Sequence, residues 1–284
     1  MNPNFLTVPT GVFLVPPTTS SELLLQFSLI LPTYQERDNI PKIVQILTDL
    51  LDPVLPGAYE LIVVDDDSPD GTWQVAAQLM PAYPQLQVMR RQTEKGLSTA
   101  VIRGWQAARG NILGVIDADL QHPPQVLLDL WQEIVRGADL AVGSRHIEGG
   151  GVSEWSLARR CLSRGAQILG LLILPEVLGR LSDPMSGYFI VRRGAIAQQI
   201  MSPVGYKILV EVAARGRIRW IREVGYVFQE RARGESKVTW KQYVEYLQHL
   251  IQLRCSLSPM QRLMPLGILG LSGVVINMAA FYGS

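Results

Sequence analysis

The chain has only two cysteines, Cys161 and Cys255, in 284 residues. They lie far apart and match no metal-ligand spacing, which argues against a disulfide framework and leaves two reduced thiols. An excess of charge is lacking too, since 26 Lys+Arg stand against 25 Asp+Glu. No whole-molecule field therefore points to nucleic acid, although a local basic pocket is compatible with that balance. The glycine-rich turn that a dinucleotide fold places after its first strand is absent, which argues against a nicotinamide or flavin enzyme. Residues 1–26 hold several prolines and threonines but no basic stretch leading into a long apolar core, so they read as a loose arm rather than a signal peptide. The run PLGILGLSGVVINMAAFY, 265–282, has no charge at all. Roughly 20 apolar residues span a bilayer, so this run just suffices for a membrane helix, a buried core helix being the other reading.

What is present first is a rhythm. Strand-like segments FSLILPT (27–33), YELIVVDD (59–66), LQVMR (86–90), NILGVID (111–117) and 138–144 alternate with helical apolar spacing over 39–51, 71–80, 97–108 and 124–135. Strands alternating with helices predict an α/β fold with a doubly wound, mostly parallel sheet covered on both faces. Ligands of such sheets bind beyond the carboxyl ends of the strands. After about residue 150 the rhythm breaks into a long helix over 155–174, a turn at Asp183–Pro184, a strand over 187–192, a helix over 204–215 and strand-like 218–230. Trp240, Tyr243, Val244, Leu247, Leu250, Ile251 and Arg254 recur at helical steps, giving an apolar stripe that suits either packing on the domain or a helix lying at a bilayer surface.

The strand ends carry the chemistry. The first ends in Pro32-Thr33-Tyr34-Gln35-Glu36 and the second in Asp65-Asp66-Asp67-Ser68-Pro69-Asp70. Three consecutive acids repel one another, so something must offset them; a solvated turn with helix capping and a carboxylate that accepts from a base or ribose are the two readings. The fourth ends in Asp117-Ala118-Asp119-Leu120-Gln121. In an extended segment Asp117 and Asp119 project to one side, and two converging carboxylates suit a hard divalent cation whose shell substrate phosphates complete.

Read together, PTYQE, DDDSPDGT, EKGLSTAVIRG, DADLQHPP, GSRHIEGG, SDPMSGYFIVRR and RARGESKVTW resemble, in collinear order over about 27–240, the family 2 glycosyltransferases of GT-A fold. More narrowly they are similar to the dolichyl- and polyprenyl-phosphate hexose synthases. The resemblance implies nucleotide binding by Pro32, Tyr34, Glu36, Asp66 and Asp117, with Asp67 standing where asparagine is common. It implies a Mg2+ or Mn2+ ion at Asp119 and Gln121, with Asp117, Asp119 and Asp183 as the catalytic group. It also implies a lipid-phosphate site of Arg145, Arg159, Ser163, Arg231 and Lys237, in keeping with the suitability of arginine for phosphate.

The expected organisation is an arm over 1–26, a catalytic GT-A domain over 27–238, amphipathic juxtamembrane helices over 239–263 and a transmembrane helix over 264–284. Arg254 and Arg262 precede that helix and place the domain on the cytoplasmic side. Its small residues permit a homo-oligomer. The expected reaction is inverting transfer of a hexose from a UDP- or GDP-sugar to a membrane-borne polyprenyl phosphate, with a lean towards glucose from UDP-glucose. GDP-mannose is the alternative donor, and a polysaccharide enzyme acting on a sugar hydroxyl is the second alternative. A phosphate acceptor is already ionised, so no strong general base is expected.

Overall fold

The computed structural model describes residues 4–17, 25–152, 165, 167–229 and 240–256. In chain order the elements are β1 (Phe5–Leu6), β2 (Phe27–Thr33), α1 (Ile40–Leu51), β3 (Tyr59–Asp65), α2 (Thr72–Leu79), β4 (Leu86–Arg90), α3 (Leu97–Ala107), β5 (Ile112–Val115), α4 (Val126–Val135) and β6 (Leu140–Ser144). There follow β7 (Gly151–Val152), α5 (Pro175–Leu178), β8 (Phe189–Arg192), α6 (Arg193–Ile196), α7 (Ile208–Arg215), β9 (Ile221–Gly225), β10 (Val227–Phe228) and α8 (Trp240–Ser256). A further helical stretch covers 167–173.

Eight strands form one sheet in the order β1-β4-β3-β2-β5-β8-β6-β9, and β7 pairs with β10 apart from it. Within the large sheet every pairing is parallel except those of β8, which runs antiparallel to both β5 and β6. The sheet is buried on both faces because alternate side chains of each central strand feed different cores. Leu29, Leu31, Leu61 and Val63 join Ile43, Leu47, Leu127 and Leu130 of α1 and α4. Ile30, Ile62 and Val64 join Val101 and Trp105 of α3, together with residues of α7 and α8. The doubly wound, mostly parallel α/β architecture expected from the rhythm is therefore present.

Helix α3 lies very close to the sheet. A Cβ on Gly104 would come within 2.8 Å of Ile30 Cγ2 and 3.1 Å of Val64 Cγ2. Gly104→Ala should therefore destabilise the fold by about 1–3 kcal/mol, the usual range for overpacking. Urea denaturation would read this as a lowered midpoint at unchanged slope; an unchanged midpoint would mean that α3 has room to move.

Three differences from the sequence reading have physical causes. Residues 4–17 are not a loose arm. Gln106 Nε2 donates to the carbonyls of Val12 and Leu14 at 2.9 and 3.1 Å, Arg103 to that of Gly11 at 3.1 Å, and Arg193 to that of Pro16 at 3.2 Å. Val15 is fully buried, and Phe5–Leu6 extends the sheet along β4. Second, β5 stops at Val115, and Ala118 to Leu120 form a turn rather than extended chain. Third, α8 turns Tyr246, His249, Leu250 and Leu253 inward, whereas Val244 and Ile251 of the expected stripe are exposed. His249 Nε2 lies 2.6 Å from Glu211 Oε2 with both side chains fully buried, and Ser202 N and Arg215 Nε donate to Oε1. This polar clasp docks α8 on α7. No helix of the described residues is long and apolar enough to cross a membrane; residues 264–284, where that helix was expected, lie outside the described residues.

Candidate active site

Register places the chemistry-bearing loops along one edge. Thr33 pairs with Asp65 at the ends of β2 and β3, and Ile30 pairs with Val115, so the loops after β2, β3 and β5 emerge side by side. Because β8 is antiparallel, its first residue Phe189 pairs with Val115 on one side and Val142 on the other. The turn leading into β8, with Asp183 and Gly187, therefore reaches the same edge. Three non-glycine residues of these loops sit at positive φ: Gln35 at 59°, Asp67 at 56° and Leu120 at 61°. Such conformations persist where surrounding contacts impose them, and they concentrate at functional sites.

The three acids after β3 are offset one by one. Asp65 accepts from Thr33 Oγ1 at 2.9 Å, Ser68 Oγ at 2.6 Å and Ser68 N at 2.8 Å. Asp66 accepts from Arg91 Nε at 2.7 Å and from Gly96 N at 2.6 Å, which ties the loop after β4 to the end of β3. Burial pushes the Asp66 carboxyl above its ordinary value, and the Arg91 charge and the Gly96 N–H offset this only in part. Asp67 pairs with Arg90 at 2.6 Å. The capping reading also has its residue, since Asp70 accepts from Thr72 N at 3.0 Å at the start of α2.

Pro32 is buried at the end of β2, and Tyr34 is exposed just beyond it. Glu36 takes Asn39 Nδ2 at 2.7 Å, while its own N–H donates to Thr72 Oγ1 at 3.0 Å. In the turn after β5, Asp119 is 6% exposed and accepts from Gln121 N at 3.1 Å. Gln121 Nε2 donates to the Gln229 carbonyl at 3.0 Å, and Gln229 N returns a bond to Gln121 O. Asp117 Oδ2 lies 3.3 Å from His122 Nε2, whereas its Oδ1 is buried with no hydrogen-bond partner among the described residues. A buried carboxylate oxygen in that state calls for a donor or a cation. Two carboxylates and a neutral amide within five residues offer oxygen ligands, which fits a hard divalent ion that keeps positions for phosphate oxygens.

On the other side of the edge Asp183 is completely buried against Arg145, which donates from Nε at 2.6 Å, from Nη2 at 2.8 Å and from its backbone N at 3.1 Å. Burial disfavours both charges, yet their mutual bonds and attraction outweigh it. Asp183 is held below the usual carboxylate range and Arg145 above its own. Glu223 of β9 in turn accepts from Ser182 N at 2.9 Å, fixing the turn that carries Asp183. Phe228 stacks near the Arg145 guanidinium at 5.5 Å. Arg159, Ser163, Arg231 and Lys237 lie outside the described residues.

Sequence reasoning missed Arg91, Glu223 and His122 as members of this edge. Arg91 and His122 stand inside or beside the quoted motifs, but the partners that give them meaning are distant in sequence. The same-side argument for Asp117 and Asp119 does not apply, because the chain there is not extended.

Residues 28–198 match the family described as glycosyl transferase family 2. The chain is a family 2 glycosyltransferase. A relative named dolichol-phosphate mannosyltransferase from Pyrococcus furiosus is 42% identical over 254 residues, covering 89% of this chain and 70% of the relative. A protein of the same name from Saccharomyces cerevisiae is 33% identical over 239 residues, covering 81% and 87%. Among solved structures, mannosyl-3-phosphoglycerate synthase from Rubrobacter xylanophilus superposes with a TM-score of 0.60 at 23% identity, over 85% of this chain and 77% of the other. Glucosyl-3-phosphoglycerate synthase from Mycobacterium tuberculosis, in complex with Mn2+, UDP and glucosyl-3-phosphoglycerate, gives 0.58 at 20% identity, over 81% and 78%. These likenesses show that the glycosyltransferase shares its GT-A fold with both.

Proposed function

We propose that this glycosyltransferase moves a mannosyl group from GDP-mannose to the phosphate of a polyprenol at a membrane surface. The observation that carries the proposal is the meeting, along one sheet edge, of Asp117 with its unpartnered buried oxygen and the buried Arg145–Asp183 pair. Anionic groups on one side suit a metal-linked diphosphate; a cation held rigid on the other suits an acceptor phosphate. The lean towards glucose gives way to mannose, because the curated relatives at 42% and 33% identity are named mannosyltransferases with dolichol phosphate in their names.

Asp119 and the Gln121 amide oxygen would hold a Mg2+ or Mn2+ ion, and the structural neighbour solved with Mn2+ and UDP supports that class of ion. When bound, such an ion supplies neutralisation of charge on the departing diphosphate. Tyr34 and Glu36 at the end of β2, with Asp66 behind them, form the wall proposed for the nucleoside. The acceptor oxygen attacks C1 as the bond to the diphosphate breaks, inverting the anomeric carbon. Asp183 takes no part as a base, since both of its oxygens accept hydrogen bonds from Arg145. Arg145 holds the acceptor phosphate together with Arg159, Ser163, Arg231 and Lys237.

The membrane part of the proposal rests on exposed apolar side chains. Ile168 is 59% and Leu172 75% exposed on the helical stretch 167–173, and Ile251 is 50% exposed on α8. The two helices meet where a Cβ on Gly170 would lie 2.6 Å from Tyr246 Oη. We place this ridge against the bilayer. Incubating the full chain with a panel of labelled nucleotide-sugars and a short polyprenyl phosphate tests the proposal. Mannosyl-phosphoryl-polyprenol formed from GDP-mannose, in the presence of Mg2+ or Mn2+ and not in chelator, is the expected result. Preference for UDP-glucose would restore glucose as the sugar, and transfer to a free sugar hydroxyl would overturn the acceptor.

A further inference from the structure

His122 follows the proposed metal-binding turn without belonging to it. Its side chain is 3% exposed, and Nε2 lies 3.3 Å from Asp117 Oδ2. Three rings enclose the imidazole, with centroids at 5.2 Å for Tyr188, 5.4 Å for Tyr226 and 5.2 Å for Phe228. Tyr188 comes from the approach to β8, and Tyr226 and Phe228 from the end of β9 and from β10. The plane of the ring is thus set by packing. Nδ1 is buried and has no hydrogen-bond partner among the described residues.

That unpartnered nitrogen separates a functional role from a packing role. A carboxylate only accepts hydrogen bonds, so Nε2 carries the hydrogen in the neutral ring and Nδ1 keeps its lone pair. Burying that lone pair among aromatic rings is unfavourable, and a phenylalanine in the same place would avoid the penalty. What only the imidazole adds is a nitrogen, Nε2, within 3.3 Å of Asp117 Oδ2. Gly187 supplies a second constraint, because a Cβ there would stand 3.2 Å from the same oxygen. Oδ2 is flanked by Nε2 and by bare backbone, and Oδ1 is buried.

We infer that His122 is a positioning residue that orients the Asp117 carboxylate for the donor nucleotide-sugar. The inference rests on the donor-side reading above. It predicts a ranking by donor reach rather than by size. Glutamine can bring an N–H near the place of Nε2, asparagine falls short, and phenylalanine fills the cage with no donor. His122→Asn and His122→Phe should lose about 10–100-fold in kcat/KM for the donor, the range found for outer partners of ligand-binding groups. His122→Gln should lose less than about fivefold, with melting temperatures compared in parallel. In an Asp117→Asn background His122→Phe should add less than about threefold, because coupled residues are not additive. If His122→Phe fails to fold, the comparison of Gln with Asn decides. Equal activity of those two, or a full effect of His122→Phe without the Asp117 carboxylate, overturns the inference while the transferase reading stands. A wild-type chain that neither binds nor turns over any nucleotide-sugar overturns both.

Discussion

Asp119→Ala should lower transfer by about 1,000-fold or more, equivalent to roughly 4 kcal/mol of transition-state stabilisation. The expectation follows from where the residue sits. Asp119 is nearly buried in the turn that follows Asp117, and it accepts from the Gln121 N–H at 3.1 Å. Burial disfavours an ionised carboxylate, so the substitution removes a buried charge from the metal-free protein. Its metal-free melting temperature should accordingly hold or rise. The stabilisation that wild type gains from Mn2+ with a nucleoside diphosphate, which grows with ligand concentration over the dissociation constant, should disappear. Thermal shifts with and without the ion, beside transfer rates, check both halves. Turnover that persists in chelator, or a metal-induced shift that survives the substitution, would sink the assignment of Asp119.

How far the sequence reveals this site depends on whether the relevant partners are local. FSLILPT and YELIVVD were legible as strands because every residue of β2 and β3 is buried, which leaves an apolar run at the centre of each, Leu29–Leu31 and Leu61–Val64. The Asp117–Asp119 turn was legible as chemistry but not as geometry. Leu120 takes a left-handed conformation at φ 61°, and nothing in a leucine announces that. A strand over 187–192 could be read, but its direction could not, and only the antiparallel direction of β8 brings Asp183 to Arg145. The inner face of α8 was hidden for a similar reason. His249 counts as polar until Glu211, 38 residues away, is seen to bind it. The arm over 4–17 is fastened through its backbone carbonyls by side chains of Arg103, Gln106 and Arg193, so its own composition could not show the attachment.

The Arg145–Asp183 pair gives the largest expected effect on stability. Arg145→Ala leaves Asp183, with no exposure at all, without its main counter-charge, His146 Nε2 standing farther off at 3.9 Å, and breaking a buried pair in this way typically costs about 3–5 kcal/mol. Against a total of about 5–15 kcal/mol that loss is easily read by urea denaturation. Its pH dependence separates the pair from ordinary packing. In wild type the Asp183 carboxyl is depressed, so its stabilising contribution is complete above the unfolded value of about 3.9 and is lost as pH falls through the lower folded value. Without Arg145, burial dominates and should raise the carboxyl above 3.9. Asp183 then destabilises the fold at neutral pH, and protonation relieves it as pH falls through the raised value. The stability gap between Arg145→Ala and wild type should therefore narrow from pH 7 towards pH 4. A gap that stays constant with pH would mean that lost packing, not an orphaned charge, is responsible. Arg145→Lys completes the argument, because lysine keeps the charge but cannot reproduce the paired bonds from Nε and Nη2. It should recover part of the stability while leaving KM for the polyprenyl phosphate raised, if the proposed phosphate contact depends on the guanidinium that Asp183 holds in place. Recovery of stability and acceptor KM together would show that charge alone is what Arg145 contributes.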